Sequence, residues 1–180
     1  ETTLDEADRK IDEMLLELGK IVESEQKNRE EIAEVRELHK NLKKEILARR
    51  HAFGKASELL EKSIDKVKED IEEFEAETLA GNYITAREIV VKMKEELGIL
   101  QEKMENIPIL LNECLHVIPS QFKELRNGVQ DMRKEDYQLD HLDIESVIEN
   151  LEERLQTYVE LIEKTEIEEV HEGIEEIKEQ

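Results

Sequence analysis

The sequence predicts an all-α protein, an elongated antiparallel three-helix bundle made of long, coiled-coil-like helices. Apolar residues recur at spacings of three and four along nearly the whole chain, as in helices that pack through one narrow apolar face. Charged residues make up 41% of the sequence, aromatic residues make up 3%, and there are only two prolines. This composition favours a thin apolar seam between solvated helices over a thick core of large side chains.

Composition also limits the function classes. Low hydrophobicity and high charge are typical of disordered chains, but the regular apolar spacing decides against disorder. A formal net charge of −22 argues against direct binding to nucleic acid or to anionic lipid, because both require a basic surface. A single cysteine, Cys114, cannot form an internal disulfide and suits a reducing compartment. The chain begins in a helical pattern without Met or a signal peptide, so we expect an interior piece of a longer protein.

The first element is predicted to be one helix over residues 1–80, because no proline interrupts them. Its apolar stripe consists of Ile11, Leu15, Leu18, Val22, Ile32, Val35, Leu38, Leu42, Ile46, Phe53, Ala56, Leu60, Ile64, Val67, Ile71 and Phe74. Residues 23–31 are polar on every face. We expect this interval to mark the transition from one packed unit to the next.

The second element begins after a stop signal at Gly81, which can adopt the left-handed conformation that ends a helix, and Asn82 can cap the next one. Its stripe runs in constant phase from Ala86 to Met132, through both Pro108 and Pro119. A proline removes one helical hydrogen bond and clashes with the preceding turn. We therefore predict a continuous helix with kinks at the two prolines.

A turn between Asp131 and Asp143 is predicted to precede the third helix, with Asp140 or Asp143 as its cap. The third stripe comprises Ile144, Ile148, Leu151, Leu155, Tyr158 and Ile162. After Ile162 the apolar spacing shifts to a new helix face. A new apolar stripe predicts a short fourth helix, and it consists of Ile167, Val170, Ile174 and Ile177. Thr165 and Glu168 have the spacing of a capping box for it.

Short loops make successive helices antiparallel neighbours, which predicts a register that places Asn28 near Met132. The third helix would then complete a three-helix bundle with residues 28–46. Residues 4–22 are left with an apolar stripe and no partner in this chain, so a preceding unit or a second copy is expected to cover it. The predicted domains are residues 1–27 (end of the preceding repeat), 28–165 (the bundle) and 166–180 (start of the next helix).

One basic cluster stands out on this acidic chain as a possible partner-binding site. It consists of Lys43, Lys44, Arg49, Arg50 and His51. If the cluster has a function, we expect it to be a surface that binds an acidic tail of a partner protein. The alternative is a solvated helix face whose exposed ion pairs, for example with Glu45, are each worth under about 1 kcal/mol.

Two Glu-x-x-His pairs could indicate a di-iron helical-bundle enzyme, since this spacing puts both side chains on one helix face. They are Glu113 with His116 and Glu168 with His171. Glutamate is so abundant here that two such pairs are expected by chance. No Ser/His/Asp arrangement or Gly-rich phosphate loop occurs, and Cys114 at a seam position is expected to be a small core residue. We therefore predict no enzyme, no metal and no cofactor.

Three segments of the sequence resemble the septation ring formation regulator EzrA family. They are residues 24–31 continuing to Arg49-Arg-His-Ala-Phe-Gly-Lys-Ala56, residues 81–89, and residues 107–114 with Ile118-Pro-Ser-Gln121. The Arg-His-x-Phe-Gly-Lys element and the two prolines are the most specific parts. The family's short Gln-Asn-Arg patch, tied to septal targeting, is not matched by residues 26–28.

The resemblance implies spectrin-like repeats with helices shared between them, in the cytoplasmic region of a protein with one N-terminal transmembrane helix. Such proteins bind the tubulin-like protein FtsZ, restrain Z-ring assembly away from mid-cell and link the ring to other divisome proteins. This chain would lie at the cytoplasmic face of the membrane at the septum, anchored only through a helix elsewhere, and a homodimer is possible. The main alternative is a generic coiled-coil spacer without a specific partner.

Overall fold

The computed structural model describes residues 2–135 and 143–179, and every regular element in these ranges is helical. The elements are α1 (Thr2–Ala48), α2 (Arg50–Phe53), α3 (Ala56–Leu79), α4 (Tyr83–Asn112), a π-helix (Glu113–Val117), α5 (Ile118–Lys134), α6 (Ile144–Glu163) and α7 (Glu168–Glu179). The predicted all-α helical bundle is confirmed.

The helices form two compact units. The first comprises residues 1–47 and 61–101, and the second comprises residues 48–60 and 102–180. Parts of α1, α3 and α4 therefore make up the first unit, and the later helices belong to the second. The predicted domain limits at residues 27 and 165 stay a prediction.

In the first unit, α1 and α3 run in opposite directions. Arg36 on α1 pairs with Glu75 near the end of α3, whereas Lys43, further along α1, pairs with Asp65 near its beginning at 2.8 Å. The Nε2 atom of His39 also lies 3.0 Å from a backbone carbonyl oxygen of α3. The chain thus reverses direction between the two helices.

The third helix of this unit is α4, which runs antiparallel to α3. Lys92 Nζ lies 2.9 Å from Asp70 Oδ1, and Lys66 Nζ lies 3.0 Å from Glu96 Oε1. The three helices enclose an apolar core in which the following side chains are buried: Val35, Leu42, Ile46, Ile64, Val67, Phe74, Ala86, Ile89, Val90, Met93, Leu97 and Leu100. An antiparallel three-helix bundle results.

Polar side chains set the alignment of α1 with α4. Asn28 is 2% exposed, and its amide donates a hydrogen bond to the backbone carbonyl of Tyr83 at 3.0 Å. One turn further on, Arg87 pairs with Glu31. Asn28 therefore meets the first residue of α4, and the predicted register that placed it near Met132 was wrong.

The predicted single helix over residues 1–80 was also wrong, because the chain turns between Ala48 and Ala56. Gly54 has φ +55° and ψ −134°, a conformation that residues with a Cβ rarely adopt. Phe53 and Ala56, on either side of the glycine, are fully buried. The glycine permits the reversal and the two buried side chains hold it in place, so the predicted helix is divided into α1, α2 and α3.

The stop predicted at Gly81 is confirmed. Gly81 has φ +80°, its N–H donates to the carbonyl of Thr78 at 3.1 Å, and the N–H of Asn82 donates to the carbonyl of Glu77 at 2.9 Å. This pair of bonds is a Schellman motif. The carbonyl of Asn82 accepts the first bond of α4, from Ala86, while its side-chain amide donates to Glu77 Oε2.

The predicted continuity through the two prolines is confirmed, since residues 83–134 are helical throughout. Pro108 lies inside α4, whereas Pro119 lies at the start of α5 directly after the π-helix. A proline has no N–H to offer the carbonyl four residues earlier. The wider π turn before Pro119 is one way in which a helix accommodates this loss without ending.

In the second unit, α5, α6 and α7 pack in alternating directions. Arg126 on α5 binds Glu145 at 2.8 Å and makes a two-pronged contact with Glu152, at 2.7 and 3.1 Å. Arg154 on α6 pairs with Glu176 on α7 at 2.9 Å. The hydrogen bonds that Arg126 donates to Glu152 and Glu145 raise its pKa. The pKa of Arg154 is raised first by its hydrogen bond to the Tyr158 hydroxyl and then by the one to Glu176.

The predicted fourth helix is confirmed as α7, and its Val170, Ile174 and Ile177 are buried. At its end, Lys178 Nζ lies 3.3 Å from a carboxylate oxygen of Glu113 in the π-helix. Residues 48–60 also belong to this unit, and Lys55 pairs there with Glu163 at 3.1 Å.

The predicted capping box at Thr165 was wrong. Thr165 has φ +63°, and its N–H donates to the carbonyl of Ile162 while the N–H of Glu166 donates to that of Leu161. Thr165 therefore ends α6, and α7 begins only at Glu168. For the third helix, Asp143 occupies the N-cap position without a side-chain capping bond, and Asp140 lies outside the described residues.

Replacing Thr165 with Gly should stabilise the protein by about 1 kcal/mol, because a β-branched residue is strained at positive φ and glycine is not. Urea unfolding followed by circular dichroism would measure this. The same substitution at Thr157, inside α6, should destabilise by a similar amount. A destabilised Thr165→Gly variant would contradict the left-handed conformation.

Replacing Gly173 with Ala should push the Tyr158 phenol aside, so the protein should not gain the roughly 1 kcal/mol that alanine, the better helix former, would otherwise contribute. Gly173 is buried on α7, and an added Cβ would overlap the phenol of Tyr158. The Tyr158 hydroxyl also accepts a hydrogen bond from Arg154 at 3.1 Å. As a control, Gly128→Ala on α5, where the new Cβ meets nothing, should stabilise in the same urea experiment. Equal effects would contradict the close approach of α6 and α7.

Candidate partner-binding surfaces

The predicted basic cluster is divided among different local environments. Lys43 forms an ion pair with Asp65, and the hydrogen bond lowers the pKa of that carboxyl. Lys44 is exposed on α1. Lys43 therefore contributes to the packing of α1 on α3, and sequence reasoning had no means of identifying this partner.

Arg49, Arg50 and His51 are exposed and follow α1 directly, in the turn that leads to α3. The guanidinium of Arg49 lies over the ring of Phe53, 5.6 Å from its centroid. The ring itself is buried, so Arg49 makes a cation–π contact with a core residue. A partner-binding role for these residues stays a prediction.

A second surface is the apolar stripe in the first half of α1. The exposed apolar side chains there are Ile11, Met14, Leu15, Leu16, Leu18 and Val22, each between 53% and 68% exposed. Further along the same helix, Val35, Leu42 and Ile46 continue the three-and-four spacing and are buried. The same kind of helix face is thus used for packing in one half of α1 and is open in the other.

Between α1 and α4 lies a partly buried charge cluster that sequence reasoning missed. Arg87 Nη2 donates a hydrogen bond to Glu31 Oε1 at 3.0 Å, and Glu31 Oε2 lies 2.9 Å from Arg87 Nη1 and 3.4 Å from Lys94 Nζ. The hydrogen bond from Arg87 is the largest of the effects that lower the pKa of Glu31. Glu31 lies at the end of the interval 23–31 that was interpreted as polar on every face, and only knowledge of the fold pairs it with Arg87 and Lys94.

Replacing Glu31 with Gln should cost roughly 1 kcal/mol at pH 7, because a charge-assisted pair is lost. The pKa of Glu31 is lowered from 4.5 in the folded state, so its contribution is present above pH 4.5 and disappears as the pH falls through the folded-state value. Urea unfolding at several pH values should show the two proteins converging in acid. The exposed Glu88→Gln variant is the control, and a pH-independent difference would contradict the pairing.

The two Glu-x-x-His pairs lie in unlike surroundings. Glu113 is half-buried beside Lys178, and His116 is exposed on the π-helix, while Glu168 and His171 are exposed on α7. Across residues 2–135 and 143–179, no group of three or more His, Cys, Asp or Glu side chains is arranged to hold a metal ion.

Cys114 is buried in the π-helix. Burial raises the pKa of its thiol to about 11, with a smaller contribution from Glu113. The thiolate that nucleophilic chemistry requires is therefore disfavoured at neutral pH.

None of the described helices is long and apolar enough to cross a membrane.

Comparison with known proteins identifies the family. The family model for the septation ring formation regulator EzrA matches residues 1–180. Proteins named septation ring formation regulator EzrA are similar to this chain: that of Geobacillus sp. strain WCH70 is 38% identical over 98% of the chain, and that of Bacillus subtilis strain 168 is 34% identical over 83% of it.

The chain spans 31% of the Geobacillus relative and 26% of the Bacillus relative. No solved structure matches it. The family is described as a regulator of septation, which is a process of cell division at the division site, and the description names no catalytic activity. With a match over every residue of the sequence, the chain belongs to the EzrA family of septation ring formation regulators.

Proposed function

We propose that this chain is a helical scaffold segment of a cell-division regulator that binds FtsZ and restrains assembly of the Z-ring away from mid-cell. The family match over residues 1–180 is the observation that carries the proposal. The full-length protein would be held at the cytoplasmic face of the membrane by a transmembrane helix outside this segment. It would link the ring to other proteins of the divisome.

The mechanism would be one of binding and geometry. A ligand that prefers one assembly state shifts the equilibrium toward that state by mass action. A regulator that binds FtsZ subunits outside the ring would thus lower the amount of polymer without any covalent chemistry. Charge pairs such as Arg87–Glu31 in the first unit and Arg126–Glu152 in the second would hold the helices of each unit in a fixed arrangement.

The exposed apolar stripe of α1 supports a second element of the proposal. Side chains such as Leu15 and Leu18 would dock on helices of the longer protein or on a second copy, as their counterparts Val35 and Leu42 do within the first unit. Residues 1–27 would then complete a preceding repeat. Sedimentation equilibrium of this chain and of the whole cytoplasmic region would separate these two partners.

The central test is sedimentation of GTP-assembled FtsZ with this chain and, separately, with the complete cytoplasmic region. The proposal expects less FtsZ in the pellet with the complete region. A reduction by the chain alone would place a binding surface within these 180 residues. An unchanged pellet with the complete region would contradict the proposal, whereas an effect of the complete region only would favour a spacer role for this segment.

A further inference from the structure

The turn after α1 carries a concentration of positive charge on an otherwise acidic protein. Within residues 49–55, referred to here as the basic turn, Arg49, Arg50, His51 and Lys55 are all exposed. The segment contains no acidic residue, although the whole chain has a formal net charge of −22. These four side chains therefore form a local basic surface within the second unit.

The basic turn is held rigidly by its own backbone and by the core. The N–H of Ala52 donates to the carbonyl of Arg49 at 2.8 Å, and the Ser57 hydroxyl donates to the carbonyl of Gly54 at 2.8 Å. Phe53, between them, is fully buried. A backbone fixed in this way loses little conformational entropy when the surface binds, and the remaining entropic cost is that of the side chains.

The side chains of the turn are suited to carboxylates. The guanidinium of Arg49 lies over the Phe53 ring, 5.6 Å from its centroid, and arginine can bind a carboxylate through two parallel hydrogen bonds. Lys55 already pairs with the carboxylate of Glu163 on α6 while remaining 81% exposed. The turn thus accepts one carboxylate from its own chain and leaves much of Lys55 accessible.

We propose that the basic turn is a docking surface for an acidic, Asp/Glu-rich segment of a partner protein. The inference names a partner chemistry for the proposed scaffold and therefore rests on the proposed function. A peptide is favoured over an anionic membrane because a peptide can touch the turn alone. A membrane surface would also approach the many acidic side chains of the molecule, which it repels.

Basic residues at this position have another effect, since they stabilise the C-terminal end of α1 by interacting with the helix dipole. That effect changes only the stability of the fold. Docking additionally requires that removing the charges weakens binding while the protein remains folded. Binding and stability therefore have to be measured on the same variants.

The experiment measures binding of a fluorescein-labelled twelve-residue Asp/Glu peptide by anisotropy, at 50 and 200 mM salt. The variant Arg49→Gln/Arg50→Gln should bind at least about fivefold more weakly than the unchanged chain, and binding should weaken with salt. The control Lys20→Gln/Lys123→Gln removes the same charge from exposed positions elsewhere and should change affinity less than about twofold. Circular dichroism verifies that both variants are folded.

Three results would overturn the inference: absence of peptide binding, an equal loss in the control variant, or arginine-dependent binding to phosphatidylserine vesicles in place of the peptide. FtsZ sedimentation with the complete cytoplasmic region, with and without Arg49→Gln/Arg50→Gln, distinguishes failure of the docking inference from failure of the proposed function. If the region still reduces the FtsZ pellet but the peptide does not bind, only the docking surface is refuted. If the peptide binds but the pellet is unchanged, the FtsZ proposal is refuted.

Discussion

Replacing Leu97 with Asp is expected to destabilise the first unit by at least about 3 kcal/mol. Leu97 is fully buried on α4, so the substitution removes apolar contacts and places a carboxylate in the apolar core of the first unit. Loss of the helical circular dichroism signal should begin at a clearly lower urea concentration than in the unchanged protein.

Ile99, two residues further along α4, provides the matched control. It is 54% exposed, so Ile99→Asp introduces the same charge on the same helix at the surface and should change the free energy of unfolding by less than about 1 kcal/mol. Similar effects of the two substitutions would mean that the assigned helix faces are incorrect.

Replacing Phe53 with Ala is expected to cost about 3 to 5 kcal/mol, the usual cost of emptying a fully buried phenylalanine site. Because residues 48–60 belong to the second unit, the loss should be local to that unit. Hydrogen exchange followed by mass spectrometry should show reduced protection in peptides from residues 102–134 and 143–179.

Phe74 offers the corresponding change in the first unit, where it is 5% exposed. Phe74→Ala should reduce protection in residues 28–46 and 83–101 instead. The reverse pattern, or loss of protection in both units for each variant, would contradict the assignment of residues 48–60 to the second unit.

The helical class and most of the core were predictable from the sequence. Burial requires only that apolar residues return every three or four positions, and Val67, Leu97 and Leu155 are buried as their spacing indicates. The break after Ala48 was not predicted, because Ile46, Phe53 and Ala56 keep an apolar spacing that passes through the turn. The signal was present nonetheless, since basic residues followed by a glycine are typical of a helix end.

The candidate surfaces were only partly predictable. The apolar stripe of α1 follows from helical spacing alone, whereas its exposure was inferred from a helix register that proved wrong. Ion pairs such as Lys43 with Asp65, and Glu31 with Arg87, depend on which helices become neighbours. If the position of a turn is predicted wrongly, the ion-pair partners are predicted wrongly as well, even where the buried face of each helix is correct.

The buried amide of Asn28 has a consequence for how the helices can slide. Coiled-coil sequences repeat every seven residues, so sliding one helix by seven residues would leave most apolar layers matched and would produce several arrangements of similar energy. A slip of α1 along α4 would separate Asn28 from the carbonyl of Tyr83 and leave a polar group unsatisfied in the interior, at a cost of about 1 to 3 kcal/mol. The Asn28 amide thus favours one alignment of α1 on α4. We expect α1 to resist sliding along α4 when a pulling force acts on α1.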